Sequence, residues 1–450
     1  MSDNDHPVHP SDGSSTQQQQ ADLVPRDSTP MQPSVEILQV SSLEDYQWPE
    51  TDPHAIPQRT RIRSDKDLLL IRKCLASAEI NLEAFFKDAR KNGLDPNKNL
   101  ADVVLAILSH QKFQMNPVTQ VRQEEQWREC IKLAISRKAP VDIIYPQFCV
   151  IPNAPKRYTN MGSAAGEDCT IEFFKLINRH VQSVYAPGVR FHVLADASLY
   201  ASAFQTHQTE VDAYHESVSK RIHELNASDC VILYDYSELL RTKCHPDYQV
   251  HYYSIGHRVW KGDAASLLPN TDLPTLRRSV RCSVNTRRFQ LTHDDHRRLF
   301  GPAKWRDTNH PYHGIIETMT DIAFNELITI RLACGAVDIS SRLWPEAIRA
   351  TCHKGPENGR WAIGLKPYPE YYGSCKLLPY HGMPVIIRDS KLRPKLEVAP
   401  EVLLRGRDDL VRVTSDGKDE VYAYVASDID SEFIGSTDYT RPYGMRSLES

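Results

Sequence analysis

Hydrophobic positions change their spacing three times along the chain, and each change marks a different kind of structure. Up to about Arg63 there is little to bury: Ser, Gln, Pro and Asp dominate, SSTQQQQ among them. A segment that cannot offset its ordering entropy by burial is expected to be a disordered tail, here residues 1–63. From Ser64 to Lys138 the apolar residues recur at spacings of three and four, as in Leu69, Ile71 and Leu75, or Val104, Ile107 and Leu108. That period predicts a helical block over 64–138, punctuated by Gly93 and Pro117.

After Ala139 short apolar runs alternate with helical periods. VDIIYPQFCV (141–150), VRFHVLAD (189–196) and DCVILYD (229–235) read as buried strands. Between them, Asp168–Tyr185 and residues 210–225 keep helical spacing. Strand, helix, strand, helix, strand requires crossover connections, and so a parallel sheet. A mainly helical, Arg-rich stretch follows over 273–334, then strand-like EAIRATCH (346–353), RWAIGLK (360–366) and MPVIIRD (383–389). DLVRV and EVYAYVA, joined by SDGKD, predict a terminal hairpin. The expected fold class is α/β: a Rossmann-like, mostly parallel sheet flanked by helices, with the helical block and disordered tail before it. The expected divisions are 1–63, 64–138, 139–405 for the α/β catalytic domain, and 406–450 for the hairpin and a loose tail.

Composition narrows the function. The 450 residues carry 54 Lys and Arg against 58 Asp and Glu, a net charge of -4, which argues against nucleic acid as a partner. No apolar run approaches the roughly 20 residues of a membrane span, and the N-terminus lacks the basic and apolar regions of a secretory signal. A cytoplasmic protein is expected. The ten cysteines form no CxxC pair and read as reduced core thiols. Walker, G-x-G-x-x-G and G-x-S-x-G motifs are absent.

Candidate chemistry lies at strand ends, where open α/β sheets bind ligands. Asp196 and Asp235 each end a strand, and either could act as a base or simply cap the next helix. Alternation places Arg349, Thr351 and His353 on one strand face. A guanidinium there can clamp a carboxylate or phosphate, and His can move protons near neutral pH. Tyr380, His381 and Gly382 form a loop before a strand. The arginines 277, 278, 281, 287, 288, 297 and 298 read as a solvated charge run, one or two of which could hold a phosphate. His245 and Asp247 make an HxD, which could begin the facial iron site of a 2-oxoglutarate oxygenase.

Four segments, in order, carry a resemblance. VDIIYPQFCVIPN, YAPGVRFHVLADASLYASAF, EAIRATCHKG and LPYHGMPV together resemble the isocyanide synthases of the pyoverdine and dityrosine biosynthesis group, over residues 140–405. The resemblance carries to Pro152, Asn153, Asp196, Arg349, His353, His381 and Gly382. The chain departs from the family pattern at Cys149, Val150, Ala195, Ala197 and Tyr380; Val150 falls where the family has a lysine. What the resemblance implies is a reaction without metal or organic cofactor. The amine of an L-amino acid condenses with ribulose 5-phosphate, and the sugar fragments to leave one carbon on nitrogen as an isonitrile or a formyl group. The expected roles are Asp196, His353 and His381 in catalysis, and Arg349, Lys156, Arg157, Asn153, Tyr380 and Gly382 in substrate and phosphate binding, with no metal. The alternatives are a changed condensation or transfer reaction on the same fold, a non-catalytic small-molecule binding protein, and the iron oxygenase built on His245 and Asp247.

Overall fold

The computed structural model describes residues 58–95, 97–114, 124–146, 162–301, 304–351, 361–362, 382–389, 391–415, 420–435 and 440–443. Eleven strands lie in two sheets among these residues. The first strand, β1 (Gln58–Ile62), falls inside the stretch expected to be a tail. Its place is held by a buried ion pair and not by apolar area: Arg61 reaches Asp67 at 2.7 Å and Asp430 at 2.7 Å, all three side chains buried. A pattern of hydrophobicity has no means of showing such a strand.

The helical block follows, as Asp65–Leu75, Leu82–Lys91, Leu100–Leu108 and Glu124–Arg137. Asn81 caps the second of these by accepting the Ala84 amide. Next come β2 (Val141–Pro146), β3 (Val189–Ala195), β4 (Val231–Asp235), β5 (Ile348–Thr351) and β6 (Trp361–Ala362), every neighbouring pair parallel, in the order β4-β3-β2-β5-β6. This is the expected Rossmann-like sheet. The chain moves outward from β2 to β3 to β4 through the helices Ala165–Gln182 and Gln208–Glu224, then returns to the far side of β2 to make β5. The order therefore reverses between β2 and β5, the topological switch point at which ligands bind in such sheets.

The two faces of this sheet differ. One presents Val141, Ile143, Tyr145, Phe191, Val193, Val231 and Ile348 to the crossover helices and the N-terminal block, in one continuous core. The other carries a small apolar group, Ile144, Leu194 and Ala347 with Tyr234, Tyr236, Leu239 and Trp344, among polar side chains. That second face carries a hydrogen-bonded group of polar side chains.

The second sheet adds β7 (Met383–Arg388), β8 (Pro394–Ala399), β9 (Leu410–Thr414), β10 (Val421–Ala426) and β11 (Thr440–Tyr443), in the order β11-β1-β9-β10-β7-β8. The predicted hairpin is β9 and β10, antiparallel, its turn residues 416–419 outside the described residues. Strands on both sides of residue 405 share this sheet, as does β1 from the opposite end of the sequence. Both of its faces are buried: Ile386, Leu396, Val413 and Val425 join the first core, while Met383, Val385, Ala399 and Tyr424 join a second core under the helices of 264–328. Burial on both sides explains why VYAYVA reads as nearly continuous apolar sequence. The second sheet is tied to the crossover helices of the first by Asp168, fully buried, which accepts from Arg221 at 2.8 Å and from the Tyr422 hydroxyl at 2.8 Å. The seven described cysteines, 74, 130, 169, 230, 244, 282 and 334, are free thiols.

Candidate active site at the carboxyl ends of the parallel strands

Strands β3, β4 and β5 of the parallel sheet each deliver a polar residue at or near the carboxyl end. Asp196 directly follows β3. The short helix 197–200 begins there, but the Asp196 side chain makes no capping hydrogen bond to it, so helix capping does not account for this carboxylate. Asp235, at the end of β4, is used in the opposite way. Its Oδ1 accepts from the amides of Ser237 at 2.8 Å and Glu238 at 3.2 Å, and its Oδ2 accepts from the Ser198 hydroxyl at 2.9 Å. Of the two strand-end aspartates, Asp235 is a cap and Asp196 is not.

Around Asp196 the site is dense and poorly solvated. Burial pushes the Tyr236 hydroxyl well above its ordinary range, and the nearby Cys334, Tyr200, Asp196 and Asp338 add to the effect. Burial likewise raises the Cys334 thiol, with the Asp196 charge in second place. These groups stay protonated at neutral pH and can only donate or share hydrogen bonds. Asp196 thus faces protonated neighbours in a low-dielectric setting, where a carboxylate acts strongly on any cation brought to it.

Arg349 lies on β5 beside Ile144 of β2 and half-buried. Asp338, between the helices His313–Val337 and Ile339–Leu343, takes both terminal nitrogens of its guanidinium, at 2.9 and 3.4 Å. The expected anion clamp is therefore already filled by an internal carboxylate. A substrate carboxylate or phosphate would compete with Asp338 for it.

Gly382 is buried at the start of β7, in the second sheet. A Cβ there would lie 2.7 Å from the Ala399 carbonyl oxygen and 3.0 Å from Val398 Cγ1, so glycine is required for β7 to approach β8. Its described role is packing. Asn153, Lys156, Arg157, His353, Tyr380 and His381 lie outside the described residues, as do Pro152, Cys149 and Val150. The segments that carry them, 147–161, 352–360 and 363–381, follow β2, β5 and β6 in the sequence.

A cluster that the sequence reading missed occupies the polar sheet face. Asp142 on β2, Arg190 and His192 on β3, and Tyr234 on β4 share one face, since side chains alternate. His192 Nε2 lies 2.8 Å from Asp142 Oδ1, and Nδ1 lies 3.2 Å from the Tyr234 hydroxyl. Arg190 Nε donates to the same Asp142 oxygen at 2.8 Å. The Trp344 ring leans on both aromatics, 5.0 Å from His192 and 5.2 Å from Tyr234 between centroids. His192 is buried, while Asp142 is half-exposed. Burial would raise the Asp142 carboxyl, yet the hydrogen bonds from His192 and Arg190 outweigh it and hold the group below its ordinary value. Burial raises the Tyr234 hydroxyl, with Arg190 opposing and Asp142 assisting. The available signal was parity: Asp142, His192 and Tyr234 are polar at alternating positions of strands otherwise built to be buried.

The arginine run is satisfied internally in large part. Arg277 and Arg281 both pair with Glu317, Arg287 with Glu210, and Arg297 and Arg298 with Asp294 and Asp307. The HxD is corrected by its secondary structure. His245 and Asp247 sit in the first turn of helix His245–Trp260, where residues two apart point roughly 200° away from each other. Asp247 instead accepts from Arg342 at 2.6 Å. No group of three or more metal-ligating side chains occurs among the described residues. No helix among them is long and apolar enough to cross a membrane.

Residues 131–326 match the family described as pyoverdine/dityrosine biosynthesis protein. The match spans β2, β3 and β4, with Asp142, His192, Asp196 and Tyr234, and ends before Arg349. No curated protein matches the chain. Among solved structures, the chain is similar to the PvcA protein from Pseudomonas aeruginosa, with 15% identity and a TM-score of 0.47, over 72% of this chain and 99% of that one. Through residues 131–326, the chain is similar to the pyoverdine/dityrosine biosynthesis protein family.

Proposed function

We propose that the protein is an isocyanide synthase-like enzyme. It would convert the amine of an L-amino acid to an isonitrile or an N-formyl group, taking the carbon from ribulose 5-phosphate, in specialised-metabolite or spore-wall biosynthesis. The observation that carries this reading is Asp196, a carboxylate at the carboxyl end of a central parallel strand that is not spent on helix capping. Such a group suits an amino-acid ammonium, and later the protonated imine that forms when the amine meets the sugar ketone. The family match over the same strands supports it.

In this reading Asp196 anchors the amine and then serves as a base, with His353 and His381 as further proton carriers. Condensation, enolisation and carbon–carbon cleavage each need a proton moved at a defined atom, which is the work of positioned acid and base groups. Arg349, which pairs with Asp338 in the structure, is the expected clamp for the substrate anion, with Lys156 and Arg157 as further phosphate-binding groups. Asn153, Tyr380 and Gly382 complete the expected binding set. The test is direct. Purified full-length protein is incubated with a panel of L-amino acids and ribulose 5-phosphate labelled with carbon-13, and the products are read by mass spectrometry. Gain of one labelled carbon on nitrogen supports the proposal, and its absence across the panel overturns it.

A further inference from the structure

The cluster on the polar face of the sheet forms an ordered path. Asp142 stands near the beginning of β2 and is half-exposed, His192 sits midway along β3, and Tyr234 is the penultimate residue of β4. Leu194 and Tyr234 pair four residues beyond the Asp142–Arg190 pair, about 13 Å along the strands. The path therefore runs from a solvent-facing carboxylate at one end of the sheet toward the edge where Asp196 lies.

We propose that Tyr234, His192 and Asp142 form a proton relay whose working end is the Tyr234 hydroxyl, acting as the acid–base group of the site. The inference rests on the reading above only in placing a substrate at the carboxyl edge of the sheet. Polarity follows from the geometry. Asp142 is held ionised by Arg190 and can only accept, so His192 carries its proton on Nε2 and presents Nδ1 as an acceptor to the Tyr234 hydroxyl.

The proton count then closes without any further reagent. A substrate proton passes to Tyr234 Oη as the Tyr234 proton passes to His192 Nδ1, leaving an imidazolium between the phenol and the Asp142 carboxylate. Reversal returns the proton through Tyr234 to a later atom of the substrate. No phenolate has to persist, so a tyrosine raised by burial can still take part. The groups facing His192 are Asp142, Tyr234 and the Trp344 ring, with Arg190 one contact away on Asp142. Trp344 fixes the planes of both rings. In the terms used for known sites, Tyr234 is the catalytic residue, while His192 and Asp142 act through it.

The test has two arms. In the first, histidine labelled with nitrogen-15 is observed by NMR in the full chain, and the His192 signals are assigned by loss in His192→Gln. The relay requires the Nε2–H tautomer at neutral pH, with the Nδ1 resonance moving in Tyr234→Phe. An Nδ1–H tautomer, or no response to Tyr234→Phe, overturns it. In the second, turnover is measured with the substrates of the proposed reaction. Tyr234→Phe and His192→Gln are each expected to lower kcat by roughly 100-fold or more with little change in KM. Wild-type kcat in both variants, with melting temperatures unchanged, overturns the relay. If the wild-type protein forms no one-carbon product, the reaction reading falls, and the tautomer measurement decides the relay by itself.

Discussion

His192 on β3 and Asp142 on β2 are held 2.8 Å apart across adjacent parallel strands, with Arg190 on the same carboxylate oxygen. Neither strand would need a polar residue at those positions for its own stability. The pair makes the face of the sheet opposite the main core polar, and it fixes which nitrogen of His192 is offered to Tyr234.

The lowered Asp142 carboxyl predicts a definite pH dependence. A group depressed on folding contributes stability that is fully present above its unfolded value, about 3.9, and lost as pH falls through the folded value. Thermal melting of wild type and Asp142→Asn across pH 2–6 should therefore show the wild type more stable near pH 6. The gap should close as the medium becomes more acidic. A gap that widens toward low pH would contradict the geometry.

The two strand-end aspartates should separate cleanly on substitution. Asp235→Ala removes the acceptor for two backbone amides and for Ser198, and should cost about 1 kcal/mol in chemical denaturation. Asp196→Asn removes no cap. It should lower turnover in the mass-spectrometric assay by about 100-fold or more.

Arg221→Ala should be among the most damaging substitutions outside the apolar cores. Asp168 is fully buried and would keep the Tyr422 hydroxyl and the more distant Arg63, at 3.5 Å, but lose its bidentate partner. Breaking a buried pair in this way costs about 3 kcal/mol, to be read from urea unfolding. Arg221→Lys should recover only part of it, because an ammonium cannot reproduce the fork.

Gly382→Ala tests packing between β7 and β8. The added methyl meets the Ala399 carbonyl, a backbone atom that cannot swing away. A loss of about 1–3 kcal/mol is expected, visible as a lower melting temperature.

Much of the architecture was legible because burial is periodic. VDIIYP and VRFHVLA are buried on one face wholly and on the other in part, VILYD is partly buried on both, and their apolar runs announce them as parallel strands linked by helices. The helices between them show their spacing equally plainly. β1 was not legible, because QRTRI is anchored by the Arg61 ion pairs with Asp67 and Asp430, contacts across 6 and 369 residues that no local period records. The candidate site divides in the same way. Asp196 could be named from its place at a strand end, but whether it or Asp235 capped a helix depended on backbone angles.

The amino-acid sequence alone determined the order of elements, the parallel sheet and the edge at which polar residues collect, since these follow from side-chain alternation and helical period within short windows. Only the tertiary structure decided the partners. It paired Arg349 with Asp338, turned His245 and Asp247 apart on a helix, and brought Asp142, His192 and Tyr234 from three strands into one hydrogen-bonded path. The physical reason is distance along the chain. Hydrogen bonds and ion pairs act over about 3 Å, and which groups come within that reach is set by strand order and register, long-range properties that folding fixes and local pattern does not contain.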